Sequence, residues 1–173
     1  MQQNRQHKFQ TSQSAPVGEF VKTIFDSYHE SFENQSVVVD FDFENVTAPF
    51  DVQLIKEATR SLIQNAIEKM PNGGTISATL IDGQHQWELE IADSSGAKFN
   101  PFEEKAKPER QTESSDSTAH DLPVIIPFPE SDSLRNAHRS AIAHHGHIQT
   151  WDCPQGGTAH VLVIPKRTHR SPN

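Results

Sequence analysis

Apolar residues along this chain switch between a four-residue and a two-residue period, and each switch marks an element. From Gly18 to Glu33, Phe20, Ile24, Tyr28 and Phe32 recur at four-residue steps, which predicts one helix. The stretch Val37 to Phe43 alternates, with Val37, Val39, Phe41 and Phe43 on one side and Val38, Asp40 and Asp42 on the other, the pattern of a half-buried strand. Asp51 to Met70 carries Leu54, Ile55, Ala58, Leu62, Ile63, Ala66, Ile67 and Met70, a wide helical stripe that Pro71-Asn72-Gly73-Gly74 brings to a stop. Thr75 to Ile81 and Trp87 to Ala92 read as a hairpin turned at Asp82-Gly83, with Asp93 closing its second strand. Order returns at Val124 to Phe128, followed by a helix from about Ser133 to His144, a strand from His147 to Trp151, a turn at Gln155-Gly156-Gly157 and a strand from Thr158 to Ile164. That sequence of elements predicts an α+β fold: a two-layer sandwich with a mixed, mostly antiparallel sheet and helices on one face.

Composition sets the limits of the domain. Residues 1–16 are Gln, Ser and Asn with scattered cations and almost nothing to bury, which predicts a disordered arm ahead of a domain spanning 17–165. A basic tail, 166–173, follows. Hydrophobic residues make up only 34% of the chain, and Ser94 to about Asp121 is rich in Lys, Glu, Ser, Thr and Pro, so a long polar loop interrupts the domain. The formal net charge of -8 excludes a protein whose main business is wrapping nucleic acid, and no nucleic-acid partner is expected. Cys153 is the only cysteine, which rules out an intramolecular disulfide and suits a cytoplasmic location. The opening residues lack an apolar signal core and no stretch approaches a membrane span, so no membrane association is expected.

Two polar residues stand out against apolar surroundings. Asn65 sits inside the run Leu-Ile-Gln-Asn-Ala-Ile, where a buried amide needs a partner, either a backbone group or a ligand. Asp93 ends the strand Trp-Glu-Leu-Glu-Ile-Ala and precedes Ser94-Ser95-Gly96-Ala97, a position where carboxylates usually bind a backbone N–H two residues on. His144, His145 and His147 cluster at a helix end, and their spacing reads as a solvated last turn rather than a metal site.

Taken together, the order of these features resembles the ATP-binding domain of sensor histidine kinases, the Bergerat-fold ATPases of the GHKL superfamily. The resemblance runs from about Val17 to Pro165 and is strongest over Leu62 to Leu80, similar to the family's Asn-box helix and following strand. Ile91 to Phe99 sits where the family has its first glycine box, and Ala143 to Pro165 looks like its C-terminal helix end and hairpin. The resemblance implies ATP and magnesium as cofactors, with Asn65 coordinating the metal and Asp93 accepting a hydrogen bond from the adenine amine. It also implies a nucleotide site that includes Ser61, Lys69, Gly96 and Phe99, under a lid over about 100–122 whose near end Phe99 or Phe102 anchors. The partners it implies are ATP or ADP and a protein of a signalling pathway.

Several positions depart from that pattern. Three residues after Asn65 the family often places a cation facing the phosphates, and Glu68 stands here, with Lys69 one position on as an imperfect substitute. Ser95 and Ala97 replace the glycines of the first box, with Gly96 between them. The second box aligns with Ser131-Asp132-Ser133-Leu134, without glycine and with an added carboxylate. Ser61 occupies the place where gyrase-like members carry a water-activating Glu, so an autonomous ATPase is not expected. The residues before Asp51 serve the domain's own helix and strand, so autophosphorylation in cis is not expected either. Two functions remain: a kinase domain acting in trans on a partner, or a degenerate member serving as a regulatory interaction module.

Overall fold

The computed structural model describes residues 14–96, 131–153 and 156–166. The lid over 100–122, Phe99, Phe102 and the run Val124 to Phe128 lie outside the described residues.

A short strand β1 (Ala15–Pro16) pairs antiparallel with β3 (Thr47–Ala48) and leads straight into α1 (Val17–Asp26). The single helix expected from Gly18 to Glu33 is two helices, α1 and α2 (His29–Asn34). The break falls at Ser27 and Tyr28: the Ser27 hydroxyl donates to the Ile24 carbonyl at 2.6 Å, taking an acceptor at the end of α1, and Tyr28 leaves helical geometry at φ -103, ψ 3. Burial follows the shorter helix, through Val17, Val21, Ile24 and Phe25, with Phe32 buried from α2.

The five-stranded sheet has the order β2-β4-β5-β7-β6, built from β2 (Val37–Phe43), β4 (Gly74–Asp82), β5 (Gln86–Asp93), β6 (His147–Asp152) and β7 (Thr158–Pro165). Only β2 and β4 run parallel, because α3 (Val52–Lys69) crosses between them. The other neighbours are antiparallel, β4–β5 and β6–β7 as the hairpin signals predict, and β5–β7 between them. The stripe read on α3 buries Ile55, Ala58, Leu62, Ile63, Ala66 and Ile67. It packs against α4 (Asp132–Ala143) and β5, over a core that includes Trp87, Leu89, Ile91, Leu162 and Ile164. The Asp51 carboxylate caps α3, accepting from the N–H groups of Gln53 and Leu54.

His144 departs from the solvated turn expected of it. Its Nε2 accepts from the Asp51 N–H at 3.0 Å and its Nδ1 lies 3.1 Å from the Ser140 carbonyl, so it ties the end of α4 to the start of α3. His145 and His147 are exposed.

Candidate functional site

The strands β5 and β7 and the last turn of α3 converge on Asp93. Its side chain is 1% exposed, and its two oxygens have different surroundings. Oδ1 accepts from the Ser95 N–H at 3.0 Å, from the Thr158 N–H at 3.3 Å, and from the Ser95 hydroxyl. Those donors fix the carboxylate plane. Oδ2 is buried with no hydrogen-bond partner among the described residues, although the Lys69 ammonium lies 3.7 Å away. A buried carboxylate oxygen left with a distant ion pair alone is costly, and such an atom is an open acceptor for a donor group of a ligand.

Backbone shape keeps this corner tight. Gly157 has φ +93, and a Cβ there would stand 1.8 Å from the Asp93 carbonyl oxygen. No other residue fits without moving the strand end. Gly96, with φ +87, faces the Gly157 nitrogen, where a Cβ would come to 3.8 Å.

Asn65 and Lys69 are four residues apart on α3, so their side chains leave the same face. Glu68 is exposed and accepts from the Gln64 amide at 3.0 Å. Lys69 therefore reaches Asp93 and Glu68 does not. The cation goes to the carboxylate at the strand end, and its ammonium stands 3.4 Å from His160 Nε2.

His160 is the residue that sequence reasoning missed. It is 2% exposed, and its parity along β7 matches the inward-facing Leu162 and Ile164, which is the signal that could have found it. Its Nδ1 lies 2.9 Å from the Thr150 hydroxyl and its Nε2 3.1 Å from Asn65 Oδ1. Burial first, and then the Lys69 charge, push its pKa down to about 4, with Asp93 pulling the other way. A neutral imidazole carries one ring hydrogen. Placed on Nε2, that hydrogen serves Asn65 Oδ1, while the Thr150 hydroxyl donates to Nδ1. The Asn65 amide nitrogen donates to Ser131 Oγ at 3.1 Å, and the same hydroxyl accepts from the Leu134 N–H as the cap of α4. Asn65, 4% exposed, is engaged at both ends by protein groups.

The two ends of the implied ligand fare differently. At the residue the resemblance assigns to the purine amine, Asp93 Oδ2 is an acceptor without a hydrogen bond among the described residues, which is compatible with a donor group of a base. Asn65 does not offer a free ligand to magnesium in this arrangement, because its amide carbonyl is taken by His160, with an ammonium close by. Among the described residues no group of three or more His, Cys, Asp or Glu could hold a metal ion.

Of the other sequence-predicted residues, Ser61 lines a separate groove of about 500 Å³ with Leu54, Glu57, Asn136 and Arg139, between α3 and α4. Phe99 is outside the described residues. Near the site, Cys153 is partly buried and burial raises its thiol pKa, a setting that holds it in the unreactive thiol form.

No family model matches the chain, and no curated protein matches it. Solved structures do. The nucleotide-free catalytic domain of the histidine kinase ThkA superposes with a TM-score of 0.66 at 20% identity, over 90% of this chain and 97% of that one. The mycobacterial sensor histidine kinase MprB gives 0.60 at 18% identity, over 90% and 98%. ThkA in complex with the response regulator protein TrrA gives 0.67 at 19% identity, over 92% of this chain and 43% of that chain. No helix among the described residues is long and apolar enough to cross a membrane. The order of the elements, the mixed five-stranded sheet and these superpositions agree: the chain has the fold of the catalytic domains of sensor histidine kinases.

Proposed function

We propose that this chain is a purine-nucleotide-binding signalling domain that grips its ligand by the base and acts as a regulatory interaction module rather than as a phosphoryl-transfer catalyst. The observation that carries this reading is Asp93 Oδ2, a buried acceptor held in a fixed direction by three donors on Oδ1 and left without a hydrogen bond. The phosphate end offers less. Asn65 is spent on His160 and Ser131, Glu68 takes the place of a cation, and Asp132 opens α4 with a negative charge where an anion would need N–H donors. Phosphoryl transfer depends on metal, cation and backbone contacts to the phosphates, so these losses weigh against catalysis more than against binding.

A second reading, transfer in trans to a partner protein, is supported by the complex of ThkA with a response regulator. Both readings place this chain beside a protein partner in a signalling pathway.

Calorimetric titration with ADP and ATP, with and without magnesium, separates them. The expected result is that ADP binds, that ATP gains less than about tenfold over ADP, that magnesium changes little, and that Asp93→Ala abolishes binding. Glu68→Lys is expected to raise ATP affinity several-fold. Tight binding that requires magnesium, with no gain from Glu68→Lys, would overturn the regulatory reading in favour of transfer. Absence of binding by every nucleotide would overturn both.

A further inference from the structure

A carboxylate oxygen alone reads one donor. Here it does not stand alone: the Lys69 ammonium lies 3.7 Å from Asp93 Oδ2, is one-third exposed, and reaches it from α3, while the carboxylate comes from β5. The site therefore presents an acceptor and a donor side by side, on two separately anchored elements. The acceptor is fixed by the three donors on Oδ1 and has nothing to accept from at hydrogen-bond distance among the described residues.

The edge of a purine that carries positions 1 and 6 is a matching pair. Adenine offers a 6-amino donor next to the N1 acceptor. Guanine and hypoxanthine offer a 6-oxo acceptor next to an N1–H donor. An acceptor alone suits adenine and repels the 6-oxo group, since two oxygens bearing lone pairs would face each other in a buried place. An acceptor beside a flexible ammonium suits both, with the base shifted by one position and the ammonium swung to the other side of the carboxylate: Asp93 Oδ2 takes the 6-amino hydrogen or the N1–H, and Lys69 donates to N1 or to the 6-oxygen.

We infer that Lys69 and Asp93 together read the 1,6-edge of a purine, so that the site accepts 6-oxopurine nucleotides, those of guanine and hypoxanthine, alongside adenine nucleotides. This deepens the nucleotide-binding reading above and rests on it. Lys69 is the specificity-determining residue in this scheme, and Asp93 is the anchor common to both bases. A neutral residue at position 69 would restore the preference for adenine, because the 6-oxygen would meet the carboxylate without a donor between them.

The test is calorimetric titration of the whole chain with ADP, GDP and IDP, the hypoxanthine nucleotide separating the 6-oxo contact from any contact to the 2-amino group of guanine. The wild type is expected to bind all three within about tenfold of one another. Lys69→Met is expected to raise the preference for ADP over GDP and IDP by roughly tenfold or more, the size of a charge-assisted hydrogen bond, and Lys69→Arg to keep the wild-type ratio. Lys69→Met also leaves a buried carboxylate without its counter-charge, so its thermal melt is recorded alongside. If that variant unfolds, the wild-type ratio and the Lys69→Arg ratio decide. Binding of ADP with GDP and IDP rejected by more than about 100-fold, or an unchanged ratio in folded Lys69→Met, overturns this inference and leaves the nucleotide reading standing. Failure of all three nucleotides to bind overturns both.

Discussion

Acid should loosen this domain through a single buried imidazole. His160 is 2% exposed, it lies 3.4 Å from the Lys69 ammonium, and it already serves Asn65 and Thr150, so a second ring proton would bring a positive charge into a site that holds one. Its folded pKa is about 4, against 6.5 for a free histidine. The unfolded chain therefore binds the proton first as pH falls. The stabilisation from the neutral ring is complete above about pH 6.5 and is withdrawn as pH falls toward about 4. At 1.36 kcal/mol per unit, the loss between pH 7 and pH 4.5 is about 2 kcal/mol. Burial also raises the pKa of Glu90, which acts in the opposite direction by stabilising the folded state as pH falls. For that reason the comparison must be made against a variant and not read from the wild type alone. Urea unfolding of wild type and His160→Gln at pH 7 and pH 4.5 provides it. The wild type should lose about 2 kcal/mol more than the variant over that interval. Parallel acid profiles for the two proteins would refute the assignment of a low folded pKa to this ring, whatever their stabilities at pH 7.

Gly157→Ala is expected to cost at least about 2 kcal/mol in urea unfolding, because φ is +93 and the new methyl would meet the Asp93 carbonyl; a loss below about 0.5 kcal/mol would show that the strand end yields freely. Asp51→Ala should cost about 1 kcal/mol, from two N–H groups of α3 losing their cap, and Asp51→Asn should recover most of it, measured by the same method.

What the sequence carries plainly is whatever depends on local period. The stripe of α3 and the alternation in β4 and β5 are repeated down to individual buried residues, because each such element packs one face against one core. The break between α1 and α2 was not legible, since Phe20, Ile24, Tyr28 and Phe32 keep their four-residue step across it while the Ser27 hydroxyl ends the helix. Asn65 and Asp93 were legible as polar residues in apolar settings. The Ser95 N–H, two residues on from Asp93, was legible too, but the distant partners were not: His160 is 95 residues from Asn65, Ser131 is 66 residues from it, and Thr158 is 65 residues from Asp93. No periodicity reports on contacts at that separation. His144 was misread for the same reason, as its bond to Asp51 spans 93 residues.

Helix geometry explains why the cation of α3 ends at Asp93. At about 100° per residue, position 68 lies about 60° to one side of Asn65 and position 69 about 40° to the other. One step along the chain thus decides which flank of the amide receives the positive charge. On the first flank stands Glu68, exposed and held by Gln64; on the second stands Lys69, drawn to a buried carboxylate that has no other counter-charge among the described residues within ion-pair distance. Burial is the first cause of the low pKa of His160 and the nearby Lys69 charge adds to it, while the neutral ring in turn occupies the carbonyl of Asn65. A lysine at position 69 rather than 68 therefore connects three features of the structure: a carboxylate–ammonium pair at Asp93, a neutral buried imidazole at His160, and an Asn65 amide engaged at both ends by protein groups.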